Sequence, residues 1–277
     1  RTRLSSRATP VANVADTSPT KCIKTMSDPV FVAFATQKGG AGKSTLTTLV
    51  ASYLYYVEGV EVAAMDCDST QHSLNVYREH DLLVTKENPF LKRAMRRFYE
   101  KFRKRPYKIL LVHPSEAYKV AQQHIDEGNT PAVVFFDITG TINDRATVNL
   151  IANMDYVFVP ITTETGEMAS SITFANHVNN RMITTGETHI KGLHLIWNKI
   201  RTREKTRLCE IIDRYIAKLG LDSLDTVLVK SDKFEKDGHE IGNSGVFRST
   251  LLPPDKRLLK GSNLPELVAE IRKIINV

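Results

Sequence analysis

From about residue 28 onward, short apolar runs alternate with longer segments of mixed character. The apolar runs fall at Val30–Thr36, Glu61–Asp66, Lys108–Val112, Ala132–Asp137, Asp155–Pro160, Gly192–Asn198 and Thr226–Val229. Their brevity and nearly unbroken apolar character predict strands buried on both faces. Between most of them apolar positions recur with helical spacing, as in Lys43–Val57, Asn143–Ala152, Glu167–Met182 and Glu204–Leu219. This alternation predicts a single doubly wound α/β domain, a mainly parallel sheet with helices on both faces. No repeat of roughly 20–50 residues is evident.

Composition bounds this reading. With 277 residues, 42% hydrophobic and 25% charged, the chain has surface enough to bury one large α/β core. No apolar run approaches the ~18 residues of a spanning helix. Cys22, Cys67 and Cys209 form no C-x-x-C pair, which argues against a disulfide framework or a cysteine-rich metal site and for a reducing compartment. Cys67 reads as a small buried filler. Residues 1–26 are rich in Ser, Thr and Ala, include Pro10 and Pro19, and follow no period. They predict a disordered basic leader ahead of a folded unit spanning 27–277.

The net charge of +7 is unevenly placed. The leader holds Arg1, Arg3, Arg7, Lys21 and Lys24 against Asp16, and residues 86–108 hold ten lysines and arginines against Glu87 and Glu100. The remainder is net acidic. Positive charge concentrated in this way is an electrostatic footprint.

The first apolar run is followed by Gln37-Lys-Gly-Gly-Ala-Gly-Lys-Ser-Thr45 and then a helical run. Gly39, Gly40 and Gly42 permit a tight turn whose backbone N–H groups point inward at a helix N-terminus, a cradle for polyphosphate that includes Ala41. Lys43 can neutralise the β- and γ-phosphates, Ser44 supplies a hydroxyl for Mg²⁺, and Thr45 can reach the α-phosphate region. Gln37 stands where the usual phosphate-loop pattern has glycine, and a second lysine, Lys38, opens the loop. A phosphate loop also needs a metal-holding acid. Val133-Val-Phe-Phe-Asp137 ends in one, at the carboxyl end of a strand where open α/β sheets bind ligands.

Lys38 through Thr45 resembles the deviant Walker A motif of the ParA/MinD family of P-loop ATPases, and the resemblance extends over roughly residues 29–275. It implies an ATP-sandwich homodimer in which Lys38 reaches the partner's phosphates. Asp137 resembles the Walker B acid, although Ile138-Thr139-Gly140 lacks the proline the family often places there. Asp66-Cys-Asp68-Ser-Thr-Gln71 resembles the family's D-x-D-x-x-Q switch, which implies that Asp68 orients the attacking water while Asp66 supports the Mg²⁺ shell. Asn198 resembles the strand-end asparagine that contacts adenine. The cofactors implied are ATP and Mg²⁺.

A segment from Pro89 to Arg105 sets Leu91, Met95, Phe98 and Phe102 at helical spacing among Lys92, Arg93, Arg96, Arg97, Lys101, Arg103, Lys104 and Arg105. One side can pack while the other neutralises DNA phosphates without reading sequence. Lys199, Arg201, Arg203, Lys205 and Arg207 form a second cluster, and Lys230, Lys233 and Lys236 a sparser third. By resemblance, ATP-dimerised partitioning proteins bind DNA nonspecifically on the nucleoid and answer to a stimulating adaptor. That implies a slow ATPase of the cytoplasm whose cargo is a plasmid, chromosome or mobile element. The leader is too short for a helix-turn-helix.

Within the same superfamily, a MinD-like role would place the closing stripe of Leu264, Leu267, Val268, Ile271, Ile274 and Ile275 in lipid. Its other face mixes Glu266 and Glu270 with Arg272 and Lys273, which favours a core-packed helix and argues against a membrane partner. An iron–sulfur role fails on cysteine placement, and a tyrosine-kinase role lacks the tyrosine-rich tail. A non-hydrolysing nucleotide-binding scaffold is the remaining alternative.

Overall fold

Each strand of the sheet places successive side chains on opposite faces, and both faces are covered. In β1 (Val30–Phe34), Phe31 and Ala33 point to one hydrophobic core while Val32 and Phe34 point to the other. The same alternation runs through β2 (Val62–Asp66) and β4 (Val133–Asp137), which explains why their sequences read as unbroken apolar runs. The computed structural model describes residues 28–68, 71–138, 144–186, 188–201, 207–235 and 245–277. The expected leader over residues 1–26 lies outside them.

The remaining strands are β3 (Lys108–Leu111), β5 (Tyr156–Ile161), β6 (Gly192–Trp197) and the two-residue β7 (Asp222–Ser223). They form one seven-stranded sheet in the order β3-β2-β4-β1-β5-β6-β7. Every ladder in it is parallel, so the expected mainly parallel sheet is wholly so among the described residues. The helices are α1 (Lys43–Tyr56), α2 (Ser73–Glu87), α3 (Pro89–Phe102), α4 (Pro114–Asp126), α5 (Arg145–Ala152), α6 (Thr165–Val178), α7 (Arg207–Lys218), the short α8 (Lys256–Leu259) and α9 (Leu264–Ile275). Helices α1 and α9 cover one face through Leu46, Leu49, Val50, Leu54, Leu267, Val268 and Ile271. Helices α4 to α7 cover the other, with Ala117, Ala121, Leu150, Phe174, Ala175 and Ile216 buried there.

The chain leaves β1 for β2 on one side and later passes from β4 to β5 on the other. That reversal opens a crevice at the carboxyl end of β1, the place where doubly wound sheets hold ligands.

Several boundaries differ from the sequence expectation. The last strand is expected at Thr226–Val229, but β7 pairs with β6 at Asp222–Ser223, and the chain returns at Leu228, whose N–H bonds the Trp197 carbonyl, and at Val229, in an isolated bridge to Ile200. Between them the Glu270 carboxylate of α9 accepts hydrogen bonds from the N–H groups of Asp225 and Thr226 at 2.7 and 2.9 Å, drawing that backbone out of the ladder. The helix expected over 167–182 begins two residues earlier and changes at Asn179–Ile183 to a wider π turn. The basic helix ends at Phe102 because Arg103 takes a left-handed conformation at φ +51°. Helix α2 has no clear apolar period in the sequence. Its buried positions, Leu74, Asp81, Val84 and Thr85, are half polar and blur the apolar period.

No helix among the described residues is long and apolar enough to cross a membrane. Leu264, Leu267, Val268, Ile271 and Ile275 are all buried against the sheet, and Ile274 is packed beside them. Substitution Leu267→Ala should therefore lower the unfolding free energy by about 3 kcal/mol in urea titrations. A lipid-facing residue would show almost no change.

Candidate nucleotide site

The loop from β1 to α1 is shaped by two glycines in left-handed backbone, Gly40 at φ +95° and Gly42 at φ +92°. Neither tolerates a side chain. A Cβ on Gly40 would come within 2.7 Å of a Glu167 carboxylate oxygen, and one on Gly42 within 2.6 Å of the Asn198 amide nitrogen. Gly42 begins α1 with no side-chain cap, and the first turn carries no acid. Its N–H groups and the positive end of the helix dipole are thus left for an anion.

Strand register brings the carboxylates to this loop. Phe34, the last residue of β1, is level with Asp137 on β4, which is level with Asp66 on β2. Asp137 is buried, and burial raises its pKa to about 7. The Ser44 hydroxyl and the Lys43 ammonium face it and act in the opposite direction, while Asp66 and Asp68 add to the rise. Neither Asp137 oxygen completes a well-formed hydrogen bond among the described residues. Burial lowers the pKa of Lys43, and the charges of Asp137 and Asp68 oppose that shift.

The two switch acids differ in their partners. The Asp66 carboxylate accepts hydrogen bonds from the N–H of Asn75 at 2.9 Å and of Asp68 at 3.4 Å, so it fastens the start of α2. Burial raises its pKa against those bonds. One Asp68 oxygen accepts from the Gln71 N–H at 2.8 Å, and its carbonyl accepts from the His72 N–H. Cys67 is fully buried between them, as expected of a filler, with its N–H bonded to the Asp137 carbonyl.

The donors beside the loop are hard oxygens, the Ser44 hydroxyl and the unsatisfied Asp137 carboxylate. They fit Mg²⁺, which binds through one or two carboxylates together with substrate phosphates. Among the described residues no group of three or more His, Cys, Asp or Glu side chains could hold a metal without such a substrate.

Lys38 is exposed at the outer edge of the loop. Its ammonium lies 3.7 Å from where a Cβ on Gly166 would stand, over the start of α6 rather than inside its own loop. Thr45 and Asn198 line a cavity of about 140 Å³ with Gly42, Leu46, Lys199, Val229, Lys230, Ser231, Asp232 and Phe234. Asn198 is buried and donates its amide to the Ala41 carbonyl at 2.8 Å, so it grips the phosphate loop as well as lining the cavity. In the sequence Lys199 stands within a basic cluster. The structure bonds its ammonium to the Gly40 carbonyl at 2.7 Å, and its one sequence signal is its place directly after Asn198.

The basic surface is narrower than the sequence suggests. Arg93, Arg96, Arg97 and Lys101 are exposed on α3, with Arg96 paired to Glu100 at 2.7 Å. Arg103 and Arg105 are exposed beyond the helix end. Lys104 departs from the expected group, because it turns inward to the Glu61 carboxylate and over the Tyr55 ring. Arg201 is exposed, and Arg203 lies outside the described residues.

The CobQ/CobB/MinD/ParA nucleotide binding domain, CbiA, matches residues 32–241. The chain belongs to this family. Its fold recurs in MinD from Aquifex aeolicus, at 17% identity and TM-score 0.55 over 90% of this chain and 97% of that one. It recurs in a ParA family ATPase from Chlorobium tepidum, at 15% identity and TM-score 0.55 over 87% and 96%. An ATP-bound McdA variant from Cyanothece matches at 11% identity and TM-score 0.55, over 91% and 98%. A search of curated proteins by sequence returns no match. Membership in this family makes the chain a nucleotide-binding one, and the crevice at β1 is its candidate site.

The raised pKa of Asp137 has a signed consequence for stability. An aspartate held at about 7 in the fold and ~4 when unfolded costs nothing below pH 4, and the cost grows as pH rises to 7. Asp137→Asn should therefore raise the melting temperature of the nucleotide-free protein by about 5 °C at pH 8 and leave it unchanged near pH 4. Equal shifts at both pH values would contradict the buried, partly protonated carboxylate.

Proposed function

We propose that this ParA/MinD family member is an ATP-hydrolysing dimeric switch that partitions DNA, binding DNA nonspecifically while ATP is held. The observation that carries this reading is the exposed basic face of α3, joined directly through α2 to the loop of Asp66 and Asp68. In this reading Gly39 to Thr45 cradle the phosphates, and Lys43 neutralises the β- and γ-oxygens. Ser44 and Asp137 hold Mg²⁺, with Asp66 supporting from behind through the switch backbone. When bound, Mg²⁺ screens charge on the β- and γ-phosphates.

Asp68 orients the attacking water in line with the γ-phosphorus. The new P–O bond forms as the bond to ADP breaks, and phosphate leaves. Lys38, exposed at the outer edge of the loop, serves the partner's phosphates across a homodimer interface, and Asn198 faces the adenine. Dimerisation aligns two basic faces. Arg93, Arg96, Arg97 and Lys101 form the centre of each, with Arg103, Arg105 and Arg201 at the margins. Turnover is slow until an adaptor protein stimulates it, and the protein resides in the cytoplasm on the nucleoid. The burial of α9 supports the DNA reading over lipid attachment.

Two measurements test this function. Binding to nonspecific duplex DNA, followed with ATP, ADP or no nucleotide across a salt series, should be tight only with ATP and weaken steeply with salt. The double substitution Arg93→Ala and Arg97→Ala should flatten that salt slope by about two units. Absence of DNA binding in every nucleotide state would exclude the partitioning role. Separately, Lys38→Ala should retain ATP binding but lose dimerisation and turnover. ATP-dependent dimers of normal mass by light scattering would rule out the proposed reach of Lys38.

A further inference from the structure

The two residues that follow β6 hold the phosphate loop with consecutive side chains. Asn198 donates to the Ala41 carbonyl at 2.8 Å, and Lys199 donates to the Gly40 carbonyl at 2.7 Å. The second contact is made from strained backbone. Lys199 has φ +58°, a left-handed conformation that side chains other than those of Asn and Asp rarely adopt.

The strain is imposed by its two neighbours. The Asn198 N–H is bonded to the Ile161 carbonyl of β5 at 2.8 Å, and the Ile200 N–H to the Leu228 carbonyl at 3.0 Å on the opposite flank. Lys230 N–H closes a further bond on the Ile200 carbonyl at 2.9 Å. Lys199 bridges these two fixed points, and its side chain falls across Gly42, with its ε-carbon 3.7 Å from the Cβ position there.

A trans peptide points its carbonyl and its N–H in opposite directions. Drawing the Gly40 and Ala41 carbonyls outward therefore turns the N–H groups of Ala41 and Gly42 inward, toward the space a phosphate would fill. An anion nest requires that orientation. Backbone strain kept at a ligand site is expected where the contact it secures contributes to binding.

We infer that Lys199 is a positioning residue of the nucleotide site: its ammonium holds the Gly40 carbonyl and so pre-sets the phosphate-binding amides of the loop. The inference rests on the nucleotide-site reading but not on hydrolysis, dimerisation or DNA. It assigns Lys199 to the phosphate loop, where the sequence placed it in a basic patch.

Two variants distinguish positioning from bulk structure. Lys199→Met keeps the stem and removes the ammonium. ADP affinity by calorimetry should fall about tenfold, with an unchanged melting temperature because the side chain is exposed. Pyrophosphate, measured by competition, should lose affinity by the same factor, since the defect lies in the amides. Lys199→Gly relieves the left-handed strain, so it should raise the melting temperature while weakening ADP to the same degree. ADP binding within twofold of the unaltered chain in Lys199→Met would overturn the inference. So would a loss confined to ADP with pyrophosphate unaffected, which would make Lys199 a base contact. Failure of the unaltered chain to bind ADP would overturn the nucleotide site itself, and the inference with it.

Discussion

Parallel pairing of β2, β4 and β1 brings three strand ends to one level and fixes everything at the site. With strands about 4.8 Å apart, the register that sets Asp66 opposite Asp137 and Asp137 opposite Phe34 leaves two carboxylates beside the phosphate loop. One of them, Asp137, is buried and has no well-formed hydrogen bond among the described residues. Such a group is costly in a protein interior unless a cation compensates it. Lys43 provides part of that compensation and in return is itself desolvated. The pair is in tension in the free protein, and a ligand carrying both phosphates and a divalent cation would relieve both partners.

The loop is held by restraints from the opposite side of the crevice. Glu167, fixed by a 2.8 Å hydrogen bond from Thr162, closes in on Gly40, while Asn198 and Lys199 grip successive carbonyls. These contacts come from α6 and from the two residues after β6, more than a hundred residues further along the chain. The glycine pattern therefore does two things. It permits left-handed turns, and it leaves room for side chains that lock the turn in place.

The basic face is equally dependent on distant contacts. Tyr56 at the end of α1 approaches the hydroxyl of Tyr99 on α3 at 3.4 Å, and Tyr99 donates to the Leu251 carbonyl at 2.6 Å. Asp81 on α2 accepts from both the N–H and the hydroxyl of Thr250, each at 2.6 Å. Arg78 bonds the Thr250 hydroxyl and the Tyr107 carbonyl. Helix α1 starts at the phosphate loop and α2 starts just after Asp66 and Asp68, so both elements under the basic helix originate at the candidate site. Packed helices transmit displacement as rigid bodies, which gives such an arrangement a physical route from site to surface.

Six of the seven strands, the phosphate loop and the buried acid ending β4 were legible from sequence, because each is a local pattern. Continuous apolar runs, clustered glycines and a strand-terminal carboxylate need no knowledge of distant residues. What the chain alone did not reveal depends on long-range geometry. Thr226 was drawn from the ladder by Glu270, Lys104 was turned inward by Glu61 and Tyr55, and Lys199 was moved from a charge cluster to the phosphate loop. Sequence determined which residue types stand at each strand end, since period and turn chemistry are written in neighbouring positions. Only the tertiary structure decided which polar side chains meet, because a hydrogen bond depends on direction and on distances of about 3 Å that apolar periodicity does not encode.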